Sequence, residues 1–160
     1  MHRLKPLIGS VFYAGFLPNA PGTWGSFFAL IPIFFIANNL PWYGMVLFTI
    51  ICSLLTLWVA DVCEEVWGGD PSPLVMDEWA GQGMAFIYTP MLPFTGQISS
   101  DIYLLLGGFV LFRFFDIKKP LGVDQLQQLP GGWGILVDDL LGGFYAFICL
   151  SLILFGVSLL

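Results

Sequence analysis

The chain has 160 residues, of which 58% are hydrophobic, 17% aromatic and only 10% charged, with a mean hydropathy of +0.86. Soluble globular domains carry roughly 25% charged residues, so the composition excludes one and predicts a single membrane-embedded helix bundle over 1–160. The formal net charge is −6, and five basic residues without a basic stripe exclude nucleic acid as a partner.

Met1–Ser10 runs into Gly/Pro-rich sequence rather than an apolar stretch with a small-residue cleavage site, so no removable signal peptide is expected. Five hydrophobic helices follow: Trp24–Asn38 (containing Pro32), Tyr43–Trp67, Leu74–Tyr88, Asp101–Phe115 and Ile135–Leu160. The expected fold is therefore all-α, a small polytopic membrane bundle. Its first, third and fourth helices are short for the ~20 residues of a full span, and are expected to tilt or re-enter. Pro, Gly and Asn clusters mark the loops, at Asn19–Gly22, Asn38–Pro41, Gly68–Pro73, Pro90–Ser100 and Lys118–Gly134. Cys52, Cys63 and Cys149 lack CxxC spacing, and Cys52 and Cys149 read as small buried hydrophobes.

With a cytoplasmic N-terminus and five crossings, Arg3, Lys5, Arg113, Lys118 and Lys119 all fall on the cytoplasmic side, as the positive-inside rule requires. Of the carboxylates only Asp101 falls outside. The charged chemistry is thus expected at one membrane face.

One pattern occurs twice, as Leu74-Val-Met-Asp77-Glu78-Trp-Ala-Gly81 and as Ile135-Leu-Val-Asp138-Asp139-Leu-Leu-Gly142. The match extends to Ala85 with Ala146 and to Phe86 with Phe147. Under the five-crossing topology the two helices are parallel, and each acid pair lies about one turn inside a helix N-terminus. The small residues at i+4 and i+8 suit close helix approach in lipid. Adjacent acids in an apolar helix need compensation, and hard oxygen ligands suit Mg²⁺. Asp77, Glu78, Asp138 and Asp139 are therefore the central metal and catalytic candidates.

Further candidates surround them. Arg113 and Asp116 share a helix face at i, i+3. Arg113 and Lys119 read either as phosphate-binding cations or as interfacial snorkelling residues, and Asp116 as a metal ligand or an orienter of Arg113. Thr23 and Ser26 open the first helix, as N-caps or as part of a phosphate site. Gly131 and Gly132 belong to a substrate loop or a plain turn. Asp61, Glu64 and Glu65 form a solvated helix face or supply ligands. His2 is the only histidine, there is no cysteine–arginine phosphatase spacing, no Asp-x-Asp and no GxxxxGK[ST]. A carboxylate, Mg²⁺ and Arg/Lys site at a membrane interface is what these absences leave, and it suits phosphate chemistry on lipid.

Four segments carry a resemblance to a known family: Pro18–Ser26, Asp70–Glu78 with Gly81, Phe112–Pro120 and Gly131–Asp139. In this order and spacing they resemble the phosphatidylglycerophosphatase A family over nearly the whole chain. Leu17 stands where the family carries glycine, and a second proline after Pro120 is absent. The resemblance implies a Mg²⁺-dependent phosphatase of the bacterial inner membrane with its site facing the cytoplasm. It implies removal of the terminal phosphate of phosphatidylglycerophosphate to give phosphatidylglycerol, in phospholipid biosynthesis. It also implies functional roles for Asp70, Asp77, Glu78, Arg113, Asp116, Lys119, Asp138 and Asp139, and for one of Glu64 and Glu65, with Asp70 and Glu65 as expected metal ligands.

Two other classes compete. A CDP-alcohol phosphotransferase also uses membrane carboxylates and Mg²⁺, but its spaced Asp-Gly signature is missing. A non-enzymatic divalent-cation carrier could use paired acids but has no need of Arg113 and Lys119.

Overall fold

A computed structural model describes residues 4–69 and 71–159. Arg3 and Asp70, which enter the topology and ligand expectations, lie outside the described residues. Among those described, the backbone forms seven α-helices and no strand: α1 Leu4–Gly9, α2 Pro21–Asn39, α3 Tyr43–Trp67, α4 Met76–Ala85, α5 Ile98–Lys118, α6 Val123–Leu126 and α7 Gly132–Ser158. The all-α membrane bundle is thus as expected. Helices α2, α3, α5 and α7, of 19, 25, 21 and 27 residues, are long and apolar enough to cross a membrane. Their outer faces expose large apolar side chains such as Phe35, Leu54, Val110 and Phe155.

The boundaries differ from expectation for local reasons. Pro21 occupies the first position of α2, where its fixed φ suits a helix and its missing N–H costs nothing, so α2 starts before Trp24. Pro32 does not interrupt α2, as packed membrane helices allow. Helices α2 and α5 are therefore long enough for full spans rather than short ones. Only α4 is short. Its 10 residues cover about 15 Å, half of a ~30 Å hydrocarbon core. Pro90 explains the stop, because in a continued helix its ring would clash with the Phe86 carbonyl. The chain from Phe86 to Gln97 continues without α-helix, through a single 3-10 turn at Thr89–Met91. Tyr88 reaches Trp42 beyond the end of α2, with ring centroids 6.0 Å apart. The helices α1 and α6 are not foreseen by the sequence pattern.

Helices α2 and α5 run antiparallel, joined at one end by Arg113 Nη1 donating to Ser26 Oγ at 3.2 Å. At the other end Asn38 Nδ2 donates to Asp101 Oδ2 at 3.0 Å. Asp101 is buried and also accepts from the Thr95 amide and hydroxyl and from the Gly96 amide, at 2.8–3.0 Å. This knot fixes the chain at the end remote from the acid pairs.

Helices α4 and α7 run parallel and pack most closely of all. A β-carbon on Gly143 would lie 2.1 Å from the Gly81 carbonyl oxygen, and one on Gly81 would lie 2.8 Å from the Asp139 carbonyl oxygen. Ala85 and Ala146 are fully buried in the same seam. The repeat correctly locates a small-residue crossing, but the tight contact falls on Gly143. At Gly142 a β-carbon would meet nothing closer than 3.6 Å.

Candidate active site

Each acid pair reaches the site from a different depth of its helix. Asp77 and Glu78 sit in the first turn of α4, where the positive end of the helix dipole favours carboxylates. Because α7 begins at Gly132, Asp138 and Asp139 are two turns inside it rather than one. All four are buried. Their compensation must therefore come from side chains and bound cations.

Helix α5 supplies part of it. The Arg113 guanidinium donates to Glu78 and pairs with Asp116 Oδ2 at 3.0 Å. Lys119 closes α5 with φ 45° and ψ 45°, a left-handed C-cap conformation more usual for glycine. Its Nζ lies 2.6 Å from Asp138 Oδ2. Burial alone would lower the Lys119 ammonium, but the hydrogen bond to Asp138 and that residue's charge outweigh it and hold the pKa above the ordinary lysine value.

Helix α2 closes the other side. Its first turn approaches so near that a β-carbon on Gly22 would lie 2.0 Å from Glu78 Oε1, so a side chain here would displace the Glu78 carboxylate. One turn on, Ser26 Oγ lies 2.8 Å from both Glu78 Oε2 and the Gly22 carbonyl, which share its single hydroxyl proton. The same oxygen accepts from Arg113. Ser26 thus orients Glu78 and Arg113 rather than lining the open space.

The result is a cavity of about 350 Å³ lined by Asp77, Glu78, Asp116, Asp138 and Asp139 together with Arg113 and Lys119. Five carboxylates face two cations, an excess of negative charge that cannot be left bare in a buried site. Carboxylate oxygens of Glu78, Asp116 and Asp139, one from each of α4, α5 and α7, lie within 4.8 Å of one another. Asp139 Oδ2 and Asp77 Oδ1 are buried without a hydrogen-bond partner. Clustered hard oxygens, with two buried oxygens unpaired, fit a divalent cation that takes carboxylates and water.

Other sequence candidates fall elsewhere. Thr23 is half-buried and outside the cavity lining, although Ala20, Pro21 and Gly22 line it. Glu65 is exposed at the end of α3 and also lies outside the lining. Gly131 is exposed, and Gly132 serves packing, since a β-carbon there would lie 2.6 Å from that of Ala60. The structure selects Asp116 over Asp77 and Asp138 as the third member of the oxygen cluster. The i, i+3 relation to Arg113 was the sequence signal for it. Ser72 and Gln127, which also line the cavity, carried no such signal.

The sequence profile of the phosphatidylglycerophosphatase A family matches residues 7–154. A Bacteroides thetaiotaomicron protein with the provisional name phosphatidylinositol-3-phosphatase is 36% identical over 152 residues, covering 92% of each chain. A Haemophilus influenzae protein named phosphatidylglycerophosphatase A is 33% identical, covering 89% of this chain and 83% of the relative. An Escherichia coli protein of the same name is 30% identical, covering 86% and 76% respectively. No solved structure matches the chain.

Proposed function

The chain belongs to the phosphatidylglycerophosphatase A family, and we propose that it hydrolyses the terminal phosphomonoester of phosphatidylglycerophosphate, releasing phosphatidylglycerol and phosphate. The reaction would depend on Mg²⁺, at the cytoplasmic face of a bacterial inner membrane, in phospholipid biosynthesis. One observation supports this reading above the rest: an open cavity combining a three-helix oxygen cluster with Arg113 and Lys119. A cation carrier has use for the carboxylates alone. An enzyme acting on a phosphomonoester has use for both.

Glu78, Asp116 and Asp139 would hold the Mg²⁺, which when bound supplies Lewis-acid stabilisation of phosphoryl oxygens. Arg113 and Lys119 would neutralise charge developing on those oxygens, the largest expected catalytic contribution. Ser26 holds the Arg113 side chain in register with Glu78. We assign Asp77, whose Oδ1 is unpartnered, to take the proton from the water that bonds to phosphorus as the bond from phosphorus to the glycerol oxygen breaks, and to return that proton to the leaving glycerol oxygen. Asp138 keeps Lys119 in place.

The Bacteroides relative favours a second substrate of the same chemistry, a phosphomonoester on an inositol headgroup. Phosphate release from phosphatidylglycerophosphate and from phosphatidylinositol 3-phosphate, each with Mg²⁺ and with EDTA, separates the two. The proposal expects Mg²⁺-dependent turnover of the glycerol lipid with a kcat/KM well above that of the inositol lipid. The reverse preference would reassign the substrate.

A further inference from the structure

We propose that the groove between α2 and α5 holds an acyl chain of the substrate lipid, an inference that rests on the lipid-phosphatase reading above. These helices are clasped at both ends, by Ser26 with Arg113 and by Asn38 with Asp101. Between the clasps lies an apolar groove of about 270 Å³, walled by Phe27, Ile31 and Phe34 from α2 and by Ile98, Ile102 and Leu106 from α5.

The same two helices wall the catalytic cavity through Gly22 and Arg113. Phe27, which lines the groove, meets Phe109 edge-to-face, with ring centroids 6.0 Å apart. Five residues separate Gly22 from Phe27 on α2 and seven separate Leu106 from Arg113 on α5, an offset of about 8–10 Å along the helices. That is the reach of the glycerol and phosphodiester that separate a terminal phosphate from the ester-linked chains. A lipid with its phosphate among the carboxylates therefore delivers a chain to this groove.

The apolar groove between α5 and α7 is placed differently. It shares Leu106 with the first groove and on α5 it reaches Leu111, close to Arg113, but on α7 it begins at Leu150, about 16 Å along the helix from Asp139. The Phe115 and Tyr145 rings, 5.5 Å apart, pack α5 against α7 between the two.

The test is chain-length selectivity. Phosphatidylglycerophosphate with two hexanoyl or two palmitoyl chains is presented in mixed micelles to wild type, Ile31→Trp, Ile102→Trp and Val110→Trp. Ile31 and Ile102 are exposed groove-lining residues, so added bulk displaces the groove's occupant rather than the core. Val110 lines the α5–α7 groove. The palmitoyl-to-hexanoyl ratio of kcat/KM should fall about tenfold in the first two variants, as expected if roughly two methylenes lose their burial. It should hold in Val110→Trp. An unchanged ratio in folded, hexanoyl-active variants overturns the groove assignment. So does a change of oligomeric state in detergent at constant ratio, which assigns the groove to a second copy. Wild-type protein that releases phosphate from neither lipid overturns the activity reading, and this proposal with it.

Discussion

Gly143 of α7 lies against the backbone of Gly81 in α4 so closely that a β-carbon on it would come within 2.1 Å of the Gly81 carbonyl oxygen. The acid pairs share one cavity because their helices can touch at this point. Gly143→Ala must push the helices apart and should cost about 1–3 kcal/mol of stability, as overpacking does, with a large loss of phosphate release. Gly142→Ala, with ordinary contact distances around it, should leave both nearly unchanged. Thermal unfolding in detergent, read beside activity, separates the two.

The carboxylates should divide by role. Glu78→Gln, Asp116→Asn and Asp139→Asn each remove one member of the oxygen cluster and should raise the Mg²⁺ concentration for half-maximal activity by about tenfold or more, the change typical of a lost ligand or its support. Asp77→Asn should instead lower kcat by about 10²–10⁴, the range for loss of a general base, with little change in Mg²⁺ requirement. A Mg²⁺ titration of each variant reads the distinction. EDTA should silence the wild type. Glu65→Gln should leave the titration untouched, because Glu65 is outside the cavity lining.

Ser26 touches Glu78 and Arg113 but does not line the cavity. Ser26→Ala removes a hydrogen bond to charged groups, about 1.5–3 kcal/mol, and should reduce kcat roughly 10–100-fold while KM moves little. A KM effect larger than the kcat effect would place Ser26 on the substrate instead.

Asp101 stabilises the opposite end of the bundle. Asp101→Ala removes one of the two acceptors of the Asn38 amide and orphans the Thr95 and Gly96 backbone amides that donate to it. The expected cost is at least about 2 kcal/mol, visible as a lower Tm, with kcat of the surviving folded protein preserved.

The long apolar runs made much of this fold legible: α3 has the predicted bounds, and α2, α5 and α7 differ only at their ends. The ends depend on signals a hydropathy pattern does not weigh, such as Pro21 opening α2 and Pro90 preventing continuation of α4. The duplicated acid motif located the α4–α7 seam, yet counting from the motif misplaced its contact by one residue, to Gly142 instead of Gly143. Helical phase at a crossing is set by both partners, and one sequence repeat describes each helix alone. Likewise Asp116 was visible as a neighbour of Arg113. Its place in the oxygen cluster with Glu78 and Asp139 arises only when three helices converge. Gly22 carries no chemistry of its own and reads as a loop residue until Glu78 is found against it.

The central claim is that carboxylates of both repeats form one metal-dependent phosphatase site. Its most direct test is phosphate release from phosphatidylglycerophosphate by purified wild type, Glu78→Gln and Asp139→Asn over a Mg²⁺ titration. The account predicts robust release by wild type and, at low millimolar Mg²⁺, a loss of about tenfold or more in each variant that narrows as Mg²⁺ is raised, as for a lost ligand. Full release by either folded variant at the wild-type Mg²⁺ requirement would contradict it.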